Sequence, residues 1–447
     1  MRPRGVSMGL SYHRPTMREP TPQRLRVLFV CANDFAQASA KQALWFAQQL
    51  QRDGHAVMMT VTGSASSLAA ESSDREGIPV SANRFLGPRV SPADVAAVRA
   101  FQPDVIHCWS SRLPAVTAAR AYARSSHAPV VVHWEDDEWR IRDDAMGRSA
   151  IRRLLRPARR AASNVYPPLG AAMTAGSLRW VVEHAAALDA LTPELAEHVS
   201  SRTGRSCEVI LPATPDDDPG APASGSPATQ LLDELGGIDV ALWTGSVHPA
   251  CEADVRLALA AVAEVQSRGR ELAFAHIGHV LPRYDTAAWA REAGLRDGTA
   301  RFFGYVPYPQ VPALLRRASV LLSCGLPNDY NRLRLPSKLQ AYLASGTPTV
   351  TFAVGFGRLL VDRQEALLTQ TGDPGELADR ILEALDDSTL RATLRAGGPA
   401  AAARLFDPVA NTRTLMRYYR AALGAPAQTL SDALPVAAPL PDAAGLQ

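Results

Sequence analysis

The chain has 447 residues, enough for two domains of ordinary size, and at 47% hydrophobic and 20% charged residues it has the composition of a soluble globular protein. Of its net charge of +3, residues 1–26 carry +5 (six arginines, one glutamate), leaving −2 for the rest, which argues against a nucleic-acid binder. No run of about 18 apolar residues is present to span a membrane, and no apolar core follows the N-terminal arginines as it would in a secretory signal.

Residues 1–24, with Pro3, Pro15, Pro20 and Pro22, are expected to be disordered. Arg26 to Ala32 is a continuous apolar run, as in a central parallel strand covered on both faces. A loop, Asn33–Ser39, leads into a helix with Ala43, Phe46, Ala47 and Leu50 on one face. Asp53-Gly54 closes the helix, and Ala56–Val61 reads as the next strand of a βαβ unit. The loop contains no G-x-G-x-x-G, which disfavours a dinucleotide cofactor. Ser91-Pro92 caps a short helix, Pro103 to His107 is a strand, and Leu113 to Arg124 is a helix. The strand Val130–Val132 ends in His133, Trp134 and four carboxylates, Glu135, Asp136, Asp137 and Glu138. Ligands of open α/β sheets sit beyond the carboxyl ends of strands, so His133 reads either as a site residue or as a structural histidine. Adjacent carboxylates on an extended chain point to alternating sides, so the acidic run reads as a polar rim, with no metal expected.

Residues 148–160 hold six arginines around Ile151, Leu154 and Leu155, interrupted by Pro157. They read as an exposed helix packing on its domain, or as a basic patch touching anionic lipid at the inner face of a membrane. Leu188–Thr192 is a strand, Pro193 starts a helix, and Val209–Pro212 ends the first unit. Asp216 to Pro227 is a Pro/Gly/Ser-rich linker. Val240–Trp243 opens a second sheet, with Thr244-Gly245-Ser246 at its end and a helix from Asp254 to Gly269. Strands follow at Leu272–Ile277, Arg301–Phe303 and Val320–Leu322, with a helix at Pro309–Arg317. Further helices are expected at Pro374–Leu385, Thr389–Ala396 and Asp407–Leu423, before a disordered Ala/Pro-rich tail, 425–447. Cys31, Cys108, Cys207, Cys251 and Cys324 show no metal-ligand spacing and read as buried thiols of a reducing, cytoplasmic compartment.

The most informative stretch is Leu326 to Val350, LPNDYNRLRLPSKLQAYLASGTPTV. A polar loop with Arg332 and Arg334 precedes a helix begun by Pro336-Ser337, with Leu339, Tyr342 and Leu343 on one face and Gly346 as its terminator. Lys338 lies in the first turn and is one of only two lysines among 47 basic residues, the other being Lys41. The cluster suits a diphosphate, which positive charge would hold and stabilise on departure. It could equally be a solvated basic helix start.

In register, Asn331, Arg332, Arg334, Pro336, Lys338, Tyr342, Ala344, Gly346 and Pro348 resemble the donor-binding segment of retaining, family-4-like GT-B glycosyltransferases. The resemblance implies an α/β, GT-B fold: two Rossmann-like α/β/α domains facing each other across a cleft. The acceptor domain would span 25–214, a linker 215–236, the donor domain 237–405, and a helix at 406–424 would cross back to the first domain. The implied reaction moves a sugar from a nucleotide-sugar donor to a hydroxyl acceptor, with no metal, no cofactor and no protein nucleophile. Lys338 and Arg334 would stabilise the leaving diphosphate, and His133 would contact the reacting sugar. Gly245 and Ser246 would meet phosphate through backbone N–H groups, backbone at Gly304, Tyr305 and Val306 would recognise the base, and Asp329, Asn331 and Arg332 would complete the donor site. On the acceptor side stand Gln37 and Ala38, where the family has glycines, with Lys41 and Glu135. The family carboxylate that contacts the ribose falls on Ala341, its partner eight residues earlier on Leu333, and Asp329 is the nearest substitute; the turn after Ser246 offers only His248. These departures keep open a degenerate, non-catalytic GT-B protein. A nucleotide-sugar 2-epimerase of the same fold is a third reading.

Overall fold

The structure, a computed structural model, describes residues 24–35, 38–62, 77–145, 173–214, 237–307 and 310–424. The stretch 148–160, the linker 215–236, the tail 425–447 and, Arg24 aside, the tail 1–24 lie outside the described residues.

The first half is built on a parallel sheet of order β3-β2-β1-β6-β7-β8-β9. Its elements are β1 (Arg26–Val30), α1 (Ala38–Arg52), β2 (Ala56–Val61), β3 (Val80–Ala82), the hairpin β4 (Phe85–Leu86) and β5 (Arg89–Val90), α2 (Pro92–Phe101), β6 (Val105–Cys108), α3 (Leu113–Ser126), β7 (Val130–Trp134), α4 (Glu138–Ala145), α5 (Ala175–His184), β8 (Ala187–Ala190), α6 (Pro193–Thr203) and β9 (Cys207–Val209). The central strands β1, β2, β6 and β7 are buried along nearly their whole length, which explains their continuous apolar runs.

The second half carries a parallel sheet of order β12-β11-β10-β13-β14-β15. It comprises β10 (Val240–Thr244), α7 (Glu252–Ser267), β11 (Ala273–Ile277), α8 (Thr286–Glu292), β12 (Ala300–Phe302), α9 (Val311–Arg317), β13 (Val320–Ser323), α10 (Asp329–Leu333), α11 (Lys338–Ala344), β14 (Thr349–Phe352), a 3-10 turn (Gly355–Leu359), β15 (Leu367–Thr369), α12 (Pro374–Asp386), α13 (Ser388–Phe406) and α14 (Pro408–Ala422). In each sheet the strand order reverses at the first strand, β1 against β6 and β10 against β13, and ligands of such sheets bind beyond that point. The molecule therefore has two Rossmann-like α/β domains, each with helices over its sheet.

Three expectations are corrected. Residues 329–333 form a helical turn rather than a loop, because the Asn328 side chain accepts from Asn331 N–H at 3.0 Å and caps it. Glu138 begins a helix rather than continuing an extended acidic run. The helix expected to stop at Ala396 runs on through Gly397, Gly398 and Pro399 to Phe406. These residues lie against neighbouring backbone: a Cβ at Gly397 would be 1.8 Å from Gln364 O, and one at Gly398 3.0 Å from Leu343 O. Close packing against α11 and the turn after the 3-10 segment offsets the helix-breaking tendency of the sequence.

The halves touch at several points. Leu333 joins the apolar core under β6 and β7, while Leu191 and Leu211 pack with Leu335, Leu339 and Leu343. Thr192 Oγ1 donates to Leu333 O at 3.2 Å. α14 returns to the first domain, burying Leu415, Met416, Tyr418 and Tyr419 with Phe29, Phe46 and Leu50. Its Asn411 side chain donates to Pro212 O at 2.7 Å and Leu405 O at 2.9 Å.

Candidate active site

The turn after β10 is shaped by glycines. Gly245 has φ +113° and Gly278, ending β11, has φ +139°. A Cβ at Gly278 would lie 2.2 Å from Gly245 O, so the two turns approach as only glycine permits. His276 Nε2 donates to the same Gly245 carbonyl at 2.8 Å, and burial holds the imidazole down to about 4, so it is neutral. The expectation that Gly245 offers its N–H to phosphate is corrected: that N–H donates to Ile277 O at 2.8 Å. Thr244 N–H donates to Tyr342 Oη at 2.7 Å and Val247 N–H to His279 O at 2.7 Å. The exposed Ser246 keeps its N–H without an acceptor among the described residues.

Lys338 stands over this turn. Its Nζ lies 3.0 Å from the centroid of the Trp243 ring, a cation–π contact, and its Cε and Nζ are 3.8 Å from where a Gly245 Cβ would be. Burial, and then the charge of Arg334, push the Lys338 ammonium down to about 7. α11 has seven residues and starts at Lys338 itself, with Ser337 already in helical geometry, so the positive character here comes from the side chain.

Arg334 is fixed from three sides. Nη2 donates to Asp254 Oδ2 at 2.9 Å, Nε to Asn331 Oδ1 at 2.8 Å, and the guanidinium lies 4.5 Å over the Tyr330 ring. Asp254, in the first turn of α7, is buried; desolvation raises its pKa, and Arg334 opposes that shift. Asn331 is wholly buried, donating to Leu326 O at 2.8 Å and Asp254 Oδ1 at 3.3 Å. It therefore positions Arg334 and does not face a ligand, which corrects its place among donor contacts. Arg332 and Asp329, both exposed, pair with each other at 3.4 Å on α10. His248 follows the β10 turn, its pKa lowered by desolvation and by Arg334 and Lys338.

The opposite wall comes from the first domain. Arg112 donates through Nε to Glu138 at 2.9 Å and lies 3.9 Å from Asp136. Burial lifts Glu138 to about 7, with Arg112 opposing. Glu135 accepts from Trp109 Nε1 at 3.2 Å, and burial raises its pKa. Asp136 acts electrostatically on both Tyr330 and His248, and Arg140 lies 5.3 Å over the Tyr330 ring, so Tyr330 sits between an arginine of each domain.

His133 is the fourth of five residues of β7 and is wholly buried, rather than standing beyond the strand. Its Nδ1 is hydrogen-bonded to Asp189, and Trp109 stacks on its ring at 3.9 Å. Of the base-side residues, Gly304 O accepts from Gly278 N–H at 2.8 Å, Val306 is buried, and Tyr305, 64% exposed, stacks flat on His279 at 5.0 Å. Ala38 and the half-buried Lys41 open α1, and Gln37 lies outside the described residues. Ala341 packs on the cluster around Tyr342.

The structure thus joins Gly245, Ser246, Arg334 and Lys338 in one wall. The sequence reading missed Trp243, Asp254, Tyr330 and His276. Asp254 and Arg334 are 80 residues apart, and nothing local marks their pairing.

The family profile described as Glycosyltransferase Family 4 matches residues 40–217, and that described as Glycosyl transferases group 1 matches residues 239–387. The chain is 33% identical over 227 residues to a 2-deoxystreptamine glucosyltransferase of Streptomyces kanamyceticus; the match covers 49% of this chain and 56% of that protein. Among solved structures, HepE of Anabaena in complex with UDP-glucose superimposes with a TM-score of 0.64 at 16% identity, covering 89% of this chain and 100% of that one. A glycosyltransferase of Rickettsia africae does so with a TM-score of 0.62 at 11% identity, covering 90% and 99%. With a family-4 profile over its first half, a group 1 profile over its second and two facing Rossmann-like domains, the chain belongs to the glycosyltransferases of GT-B fold.

Proposed function

We propose that this protein transfers a sugar from a nucleoside diphosphate donor to a hydroxyl acceptor, with retention of anomeric configuration and without a metal ion. The observation that carries the reading is the Lys338 ammonium, held over Trp243 and against the Gly245 turn with Arg334 behind it. A diphosphate placed on this wall meets Lys338, Arg334 and the Ser246 N–H. Charge developing on the leaving oxygen is largest in the transition state, where a preorganised cation in a half-buried site counts most. The glycosidic bond to the diphosphate oxygen breaks as the acceptor oxygen bonds the anomeric carbon from the same face, and the acceptor proton passes to the departing phosphate. Asp136 and Glu135 then line the acceptor rim, with His133 as the residue toward the sugar. Tyr305 and His279, stacked on one another, are the groups this reading assigns to the base.

HepE binds UDP-glucose, and the Streptomyces relative is named for 2-deoxystreptamine, so UDP-glucose and an aminocyclitol are the pair to try first. UDP release together with the proton NMR spectrum of the product is the test. The expected product from the α-linked donor is α-linked; a β-linked product would sink the retaining mechanism. A second reading, a GT-B protein that binds or assembles without catalysis, is favoured by Ala341 packing on the Tyr342 cluster and by Leu333 buried against the first domain, which leaves no carboxylate for the ribose at either place. Folded protein that releases no diphosphate from UDP-, GDP-, ADP- or dTDP-sugars would favour it.

A further inference from the structure

Four buried groups form a chain of hydrogen bonds beneath the acceptor wall. The Tyr419 hydroxyl on α14 lies 2.8 Å from His107 Nδ1 on β6. His107 Nε2 lies 3.1 Å from Asp189 Oδ2 on β8. The other Asp189 oxygen is bonded to His133 Nδ1 on β7. All four side chains are wholly buried. Burial works against the Asp189 charge, but the two imidazoles outweigh it and hold the carboxyl well below its usual range.

Donor and acceptor capacity then assigns each proton. An ionised carboxylate only accepts, so both imidazole nitrogens facing Asp189 carry hydrogen. His107, protonated at Nε2, has a lone pair at Nδ1 and accepts from Tyr419. With its Nδ1–H given to Asp189, the His133 tautomer so fixed has its lone pair at Nε2. That atom is buried and has no partner among the described residues. The ring is clamped by Trp109, whose indole N–H is itself tied to Glu135. A buried acceptor left unpaired costs free energy, so the arrangement asks for a donor from outside the protein.

We propose that Asp189, His107 and Tyr419 are positioning residues that lock His133 as its Nδ1–H tautomer, so that Nε2 accepts from a hydroxyl of the bound sugar. The inference rests on the reading of His133 as the residue toward the sugar. It also makes the returning C-terminal helix part of the site through Tyr419. The competing occupant is a metal ion, because His107, His133 and Asp189 bring ligand atoms within 4.8 Å of one another. An ion there would displace both hydrogen bonds to Asp189.

The test is two-bond 1H–15N NMR of the full chain labelled at histidine, before any turnover is measured. His133 is expected to be protonated at Nδ1 and bare at Nε2 without ligand, and Asp189→Asn is expected to destroy that single-tautomer pattern, since its amide donates to one of the two rings. In turnover, Asp189→Asn should lower kcat about 100-fold or more with donor KM changed by less than about threefold, as for a base held in the wrong tautomer. Asp189→Glu should recover part of the loss, and in a His133→Phe background Asp189→Asn should add nothing. A wild-type His133 protonated at Nε2 would overturn the proposal. So would independent, multiplying effects of the two substitutions, or loss of both imidazole N–H signals on adding micromolar Zn(II) to chelator-treated protein. The spectrum of the wild-type protein needs no activity, so its failure is distinct from failure of the transferase reading.

Discussion

Lys338 is one of two lysines in a protein that otherwise uses arginine, and the structure supplies a reason: its ammonium is pushed down to about 7 by burial and by Arg334, a change that a guanidinium would not make. In the free protein it loses its proton as pH rises through about 7, whereas a bound diphosphate would restore the ordinary lysine range of about 10. Binding should therefore take up about one proton at pH 8, and affinity should fall by up to about tenfold per pH unit above 7. Calorimetry at pH 8 in buffers of different ionisation enthalpy reads this uptake directly. Lys338→Arg should abolish it, and an uptake unchanged in that variant would assign the proton elsewhere. The identity of this residue was legible from composition and from its place two residues after Pro336. Its environment was not, since Trp243 and Arg334 approach it only in the folded chain.

Among the elements, the central strands were readable because parallel strands buried on both faces must be apolar throughout, whereas the short β3, β4, β5 and β15 were not read. Val240–Thr244 and Ala56–Val61 are examples. What periodicity could not show was packing that overrides local preference, as at Gly397-Gly398-Pro399 inside α13. Nor could it show why β11 ends in glycine. Gly278→Ala puts a Cβ against Gly245 O at a φ of +139°, so the β10 turn beneath Lys338 must move. The strain is about 1–3 kcal/mol before the clash is counted. The variant should lower Tm by about 4 °C or more and weaken diphosphate binding about tenfold. Gly269→Ala is the control, with φ +87° but no atom within 4 Å of its Cβ; it should be strained yet bind as the wild type does. Equal binding by both variants would mean that the contact between the two turns does not shape the site.

At the scale of the molecule, two sheets reverse their strand order at points that face one another through Tyr330, with Arg140 of one domain and Arg334 of the other on its ring. The two-domain plan and the returning helix were expected from the resemblance, and the helix packs on the first sheet as expected. The polar chain under the acceptor wall was not foreseen, although His107, His133 and Asp189, each inside an apolar strand run, were its visible signs. The whole account depends on the second-domain wall being a live anion site. The direct measurement is calorimetric titration of the intact protein with UDP, GDP, ADP and dTDP, beside Lys338→Ala. The account predicts micromolar binding of one diphosphate, weakened at least about a hundredfold in the variant, about 2.7 kcal/mol. Binding unchanged by the substitution, or none at all by folded wild-type protein, would contradict it.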